Sequence, residues 1–172
     1  IASGRPPGCA NPQMPRKFAF MNWPGFDKQL WQKALRLCSE NTNPKHPPIL
    51  ASDRDKGAIQ IAIANAERAG VADQITFTQK AVSAIEPPAG PGWVVTNPPY
   101  GQRISSSADL RNLYAQLGNV LRSKCLGWHV GILCNDIKLI SQTRLSLDTS
   151  FSTINGGIPV RLARGKVFDN PT

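Results

Sequence analysis

The chain has 172 residues, about one domain, with 20 Lys and Arg against 11 Asp and Glu and a formal charge of +9. That excess favours an anionic partner, while 41% hydrophobic and only 18% charged residues supply a buried core and exclude a disordered, histone-like basic tail. The longest apolar runs, such as Ile61 to Ala64 and Trp93 to Val95, fall far short of the roughly 20 residues that cross a bilayer, so no membrane span is expected.

Residues 1–48 read as a basic, Pro/Gly-rich insertion enclosing one helix. Asp27 can cap that helix, Leu30, Trp31, Ala34, Leu35 and Cys38 recur at helical spacing, and Asn41 and Pro44 end it. From Gly4 to Pro48 there are seven Lys or Arg and only two acids, so much of the net charge lies here.

From Ile49 onward, short apolar runs alternate with amphipathic helices, the pattern of a parallel sheet covered by helices. Residues 49–172 are therefore the core. Pro48 to Ser52 predicts a strand ending at Asp53. Lys56 to Ala69 predicts a helix with Ile59, Ala62, Ile63 and Ala66 on one face and Gly70 as its C-cap. Ile75 to Thr78 is the next strand, and Trp93 to Thr96 a third, which delivers Asn97-Pro98-Pro99-Tyr100 at its carboxyl end. Ser107 can cap a long helix with Leu110, Leu113, Tyr114, Leu117 and Leu121 as its buried stripe and Gly127 beyond its end. Trp128 to Cys134 predicts a fourth strand and Ile137 to Leu145 a helix. Phe151 to Ile154 and Ile158 to Leu162 flank Asn155-Gly156-Gly157, a hairpin signal that adds an antiparallel ending.

The four cysteines, Cys9, Cys38, Cys125 and Cys134, form no Cys-x-x-Cys pair, so reduced thiols in a cytoplasmic protein are expected. Cys9, Cys38 and His46 match no ligand spacing, and no metal is expected. A nicotinamide-dinucleotide enzyme would share the sheet type, but no Gly-x-Gly-x-x-Gly follows a strand.

In open α/β sheets ligands collect beyond the carboxyl ends of the strands, which directs attention to Asp53, the segment after Thr78, and Asn97 to Tyr100. Asp53 is placed to accept hydrogen bonds from ribose hydroxyls; alternatively Asp53 or Asp55 merely caps the following helix. Asn97-Pro98-Pro99-Tyr100 is the most specific feature. Two prolines after a strand end the ladder and fix φ near about −65°, leaving carbonyls that can face a ligand. The Asn97 side-chain oxygen and the Pro98 carbonyl form two acceptors matched to the two protons of an exocyclic amine. Such an amine is a poor nucleophile, and fixed acceptors that favour a more tetrahedral nitrogen replace a strong base by positioning. Tyr100 offers an aromatic face for a base taken out of its stack.

Asn97-Pro98-Pro99-Tyr100-Gly101 resembles the fourth motif of S-adenosylmethionine-dependent methyltransferases that act on exocyclic nitrogens. With Phe18-Ala19-Phe20-Met21-Asn22-Trp23-Pro24-Gly25-Phe26-Asp27, Ser52-Asp53-Arg54-Asp55, Asn65-Ala66-Glu67-Arg68-Ala69-Gly70 and Gln102-Arg103, the chain resembles the bacterial 23S ribosomal RNA guanine-N2 methyltransferases that carry an RNA-binding THUMP domain upstream. The similarity runs through Asn155-Gly156-Gly157. It implies a Rossmann-like class I methyltransferase sheet with helices on both faces and a C-terminal hairpin, and S-adenosylmethionine as cofactor. It also implies that Asp53 and Arg54 lie at the cofactor, that Asn97, Pro98 and Pro99 hold the target amine beside the cofactor, and that Tyr100 stacks on the base. Where the family usually has an Asp at the adenine, this chain has Ala81, which leaves adenine to backbone groups near Ala81 and Val82, or to Ser83.

The family's first strand and its glycine-rich Asp-Pro-x-Cys-Gly-Ser-Gly-Thr loop have no counterpart in Ile1 to Pro48. The sheet is therefore expected to lack a strand between those ending at Asp53 and Thr96, and these residues alone are expected to bind cofactor poorly and to fold only marginally. Ribosomal RNA as substrate fits the basic composition, with Arg16, Lys17 and Arg103 as candidate phosphate contacts; Trp23, Trp31 and Trp128 read instead as core or loop anchors. Two alternatives stay open: methylation of adenine N6, and an RNA-binding remnant without turnover.

Overall fold

The computed structural model describes residues 17–40, 47–99 and 107–168, and the chain divides into two compact units, residues 1–80 and 81–172.

In the first unit, a 3-10 turn (Ala19–Asn22) leads into α1 (Lys28–Glu40). Asp27 caps α1 as its position suggested: Oδ1 accepts from the backbone N–H of Gln29 at 2.8 Å and of Leu30 at 2.9 Å, satisfying donors that the first helical turn leaves unpaired. Trp31 and Leu35, one turn apart, are half-buried. Trp31 meets Phe20 edge-on at 5.2 Å and Phe18 at 5.8 Å, and Phe26 lies 5.8 Å from Phe20. Of the other residues at helical spacing, Leu30 and Ala34 are exposed, and the side chain of Cys38 lies outside the described residues.

β1 (Ile49–Asp53) and β2 (Ile75–Gln79) pair in parallel, in register from Ile49 with Ile75 to Asp53 with Gln79. β1 ends at Asp53 as expected, and β2 runs one polar residue past Thr78 to Gln79. The crossover is α2 (Lys56–Ala69), which ends at Gly70 with φ 66°; the Gly70 N–H closes the helix on the carbonyls of Ala66 and Glu67. Its expected inner face holds, with Ala66 buried and Ile59, Ala62 and Ile63 half-buried.

In the second unit β3 (Trp93–Thr96), β4 (His129–Cys134), β5 (Ser152–Asn155) and β6 (Ile158–Lys166) form a sheet in the order β3-β4-β6-β5. β3 and β4 are parallel, and β6 is antiparallel to both β4 and β5. α3 (Ser107–Lys124) connects β3 to β4, and α4 (Ile137–Gln142) follows β4. Alternate residues of β4, namely Val130, Ile132 and Cys134, are buried with Ala163 of β6 against Tyr114, Leu117 and Leu121 of α3 and Leu139 and Ile140 of α4. Leu110 of the expected α3 stripe is buried as well, and Leu113 half-buried.

Five expectations change. β5 runs Ser152–Asn155, one residue later than Phe151 to Ile154. α3 begins at Ser107 itself, so its cap falls outside the described residues. β4 starts at His129, because the Trp128 N–H is spent on the Cys125 carbonyl at 3.0 Å in the turn after α3; the Trp128 indole lies over Gly92, where a Cβ would come within 2.5 Å of the ring. α4 stops at Gln142 instead of Leu145: the Thr143 hydroxyl donates to the Ile140 carbonyl at 2.7 Å and accepts from the Leu145 N–H at 3.3 Å, and Arg144 turns left-handed at φ 55°. β6 continues to Lys166, because its far half pairs with β4, Leu162 with Leu133 through Lys166 with His129.

Candidate functional site

The carboxyl end of β1 is a small hydrogen-bonded platform. Asp53 Oδ1 accepts from the Asp55 N–H at 2.8 Å, and Asp55 Oδ1 accepts from the Gly57 N–H at 2.7 Å. Asp55 is therefore the N-cap of α2, which decides between the two carboxylates: Asp53, exposed at the end of its strand, does not cap the helix. Its backbone carbonyl accepts from the Lys80 N–H at 2.9 Å, and the Gln79 side-chain amide donates to the Arg54 carbonyl at 3.1 Å. The loop after β1 is thus tied to β2, which limits how far Asp53 and the exposed Arg54 can wander. Gln79 escaped the sequence reading; its one signal was a polar residue at a strand's carboxyl end.

Ala81 is extended at φ −68° and ψ 156°, and the turn Val82–Ala84 closes through the Ala84 N–H on the Ala81 carbonyl. Val82 packs against the core of the second unit. Its side chain is therefore committed to packing, and what it and Ala81 offer a ligand is main chain.

At the end of β3 the parallel ladder stops with Thr96 opposite Ile132. Asn97 is exposed, Pro98 is buried, and Pro99 is exposed. Among the described residues the Asn97 amide has no hydrogen-bond partner, so its oxygen is open to a ligand, while buried Pro98 anchors the turn. The positions of Asp53 and of Asn97 are each fixed within their own unit. Tyr100, Arg16 and Arg103 lie outside the described residues; Lys17 is exposed.

Of the aromatic residues read as anchors, Trp31 and Trp128 are half-buried in packing roles, but Trp23 is 68% exposed. Anchoring does not account for it. Among the described residues no three His, Cys, Asp or Glu side chains come together as a metal would need, and no helix is long and apolar enough to cross a membrane.

Among curated proteins the chain is 37% identical over 146 residues to ribosomal RNA large subunit methyltransferase K/L of Shewanella sp. strain W3-18-1, covering 83% of this chain and 21% of that protein. It thus spans about a fifth of that relative's length. Among solved structures it is similar to one described as an N6-adenine-specific DNA methylase from Listeria monocytogenes strain 4b F2365, with a TM-score of 0.72, 28% identity, and coverage of 88% of this chain and 39% of that one. It shares its fold with SMU.472, described as a methyltransferase and solved in complex with SAH, at a TM-score of 0.74 and 24% identity, over 91% of this chain and 41% of that one. The UPF0020 family model, described as RMKL-like, methyltransferase domain, matches residues 11–164, and the chain belongs to that family.

Proposed function

We propose that this chain is catalytic machinery that moves a methyl group from S-adenosylmethionine to the exocyclic amine of guanine in 23S ribosomal RNA, in the cytoplasm. Membership of the family supports methyl transfer, and the curated relative's name supports ribosomal RNA. Residues 1–48 then form a basic insertion of the methyltransferase domain, and 49–172 its core, with a THUMP domain upstream in the longer protein.

The observation that carries the reading is Asn97, presented to solvent just past the β3 ladder by a buried proline, with no partner among the described residues for its amide. S-adenosylmethionine, when bound, supplies an electrophilic methyl carbon on a positively charged sulfur. In the chain, the Asn97 side-chain oxygen and the Pro98 carbonyl accept the two N–H bonds of the amine. That grip draws the nitrogen lone pair out of conjugation and fixes its direction, so that positioning does the work of a base. After transfer the nitrogen releases one proton to water. The Asp53 carboxylate accepts from ribose hydroxyls; its Oδ1 is already oriented by the Asp55 N–H, which leaves Oδ2 the more available oxygen. Arg54 and the main chain at Ala81 and Val82 complete the cofactor contacts, Tyr100 stacks on the flipped base, and Arg16, Lys17 and Arg103 meet phosphates.

The test is transfer of labelled methyl to unmodified 23S ribosomal RNA in the full-length context, with nucleoside analysis of the product. Asn97→Ala is expected to lower kcat by about a hundredfold or more, the scale of losing one preorganised polar contact in a transition state; undiminished transfer would reject the amine grip. A product methylated at adenine N6 would favour the second reading, which the Listeria monocytogenes structure's description supports and which the same two acceptors fit. No transfer from a folded, cofactor-loaded protein would leave the RNA-binding remnant.

A further inference from the structure

Trp23 sits where three constraints meet. Its N–H donates to the Phe20 carbonyl at 3.0 Å and its own carbonyl accepts from the Phe26 N–H at 3.1 Å, so its backbone is held on both sides. Gly25, at φ 84°, completes the turn. The indole rests edge-on against Phe20 at 6.4 Å and 68°, and Phe20 is itself locked by Phe18, Phe26 and Trp31. The contact engages one side of the indole, and Trp23 remains 68% exposed. The ring is thus held at its backbone and largely uncovered.

The charge around it selects the partner. The described segment 17–40 carries Lys17, Lys28, Lys33 and Arg36, all exposed, against Asp27 and Glu40, and Asp27 is occupied in capping α1. On α1, Lys28, Arg36 and Lys33 fall within one arc of about 140° of the helix surface, with Lys28 bordering the half-buried Leu35. An exposed aromatic ring in a cationic segment is the composition that binds unpaired nucleotides: the ring stacks on a base and the cations meet the backbone.

We infer that Trp23 is a base-stacking residue for single-stranded RNA, with Lys17 and the basic arc of α1 tracking the phosphates. This rests on the reading that the substrate is RNA, and it adds a contact outside the strand ends where the amine is held. The occupant is nucleic acid and not a protein surface because the segment that carries the ring has four exposed cations, Lys17, Lys28, Lys33 and Arg36, against two acids.

The experiment measures binding of a short, unstructured oligoadenylate by the chain, without cofactor, by fluorescence anisotropy across a salt series, for the parent, Trp23→Ala, Trp23→Phe and Lys28→Gln. Trp23→Ala is expected to weaken binding about tenfold at every salt concentration, the scale of one base stacked on an aromatic ring, with an unchanged slope against log salt. Trp23→Phe should recover most of the loss. Lys28→Gln should shift the slope by about 0.7, one single-strand phosphate contact. A base-paired duplex should be insensitive to Trp23, and thermal melting should be the same for parent and Trp23 variants, since the ring is exposed. Ultraviolet crosslinking of the oligonucleotide should map to Trp23.

Equal affinity of parent and Trp23→Ala overturns the stacking role and leaves the transferase reading intact, since that stands or falls on labelled transfer. Self-association that Trp23→Ala abolishes while RNA affinity is unchanged would assign the ring to a protein contact and overturn the inference. Absence of any RNA binding by the parent overturns it as well.

Discussion

Gly118 lets two helices meet backbone to backbone. A Cβ at this point of α3 would overlap the Thr143 carbonyl at the end of α4, the same carbonyl that accepts from Arg122 Nη1. Neither partner is the soft end of a side chain, so Gly118→Ala must push α4 away from the core. It is expected to destabilise the second unit by about 2–3 kcal/mol, the upper range for overpacking, read as a drop in the denaturation midpoint with unchanged m-value. Cys125, 1% exposed beneath α3, is pushed up in pKa by burial, with Lys124 opposing. Its thiol therefore stays protonated above the pH at which a free cysteine ionises. Iodoacetamide at pH 8–9 should leave it unmodified in the native chain and label it after denaturation, as mapped by mass spectrometry; equal labelling in both states would contradict the burial. The carboxylates at the end of β1 show how finely residue roles divide. Asp53 and Asp55 are both plausible caps on paper, and only the observed turn gives the cap to Asp55. Asp55→Ala should cost about 1 kcal/mol of stability, as loss of an N-cap does, read as a drop in the urea midpoint.

The hairpin of β5 and β6 was legible at the level of elements. Asn155-Gly156-Gly157 announced a two-residue turn, and Gly156 and Gly157 both take positive φ, 57° and 82°, between Asn155 and its partner Ile158. The length of β6 was not legible: past Leu162 it carries Arg164, Gly165 and Lys166, a polar run that became strand only because β4 was there to pair with it. The loop before β5 is fastened to the same stretch. Asp148 and Arg164 exchange backbone hydrogen bonds at 2.8 and 2.9 Å, their side chains meet at 3.2 Å, and Asp148 Oδ1 accepts from the Ser150 N–H at 2.9 Å. Hydrogen bonding from Ser150, then from Arg164, holds the Asp148 carboxyl below its ordinary value. A carboxylate whose folded pKa is depressed contributes above its unfolded value, near 3.9, and loses that contribution as pH falls through the folded value. The urea midpoints of the parent and Asp148→Asn should therefore differ at neutral pH and converge below about pH 4. A constant gap down to pH 2 would show that the carboxylate is not the cause.

At the scale of the whole molecule, net charge and periodicity decide different things. The +9 charge acts at long range and without geometry, so it pointed to an anionic partner before any element was placed, and it predicts that polyanion affinity falls steeply with salt. The order of strands and helices, the cap of α1, the Gly70 ending and the exposed Asn97 turn were all determined by the sequence alone. Each depends on local chemistry: apolar spacing, a carboxylate before a helix, a residue that tolerates positive φ, a pair of prolines that ends a ladder. What the tertiary structure decided is whatever depends on a neighbour distant in the chain. The burial of Trp31 was set by the rings of Phe18 and Phe20, and the extent of β6 by β4. Trp23 is the plainest case. A tryptophan in an aromatic stretch reads as an anchor, but the cluster around Phe20 is filled by Phe18, Phe26 and Trp31, and the ring left over is turned to water, because hydrophobicity says that a side chain favours burial and only packing says whether there is room.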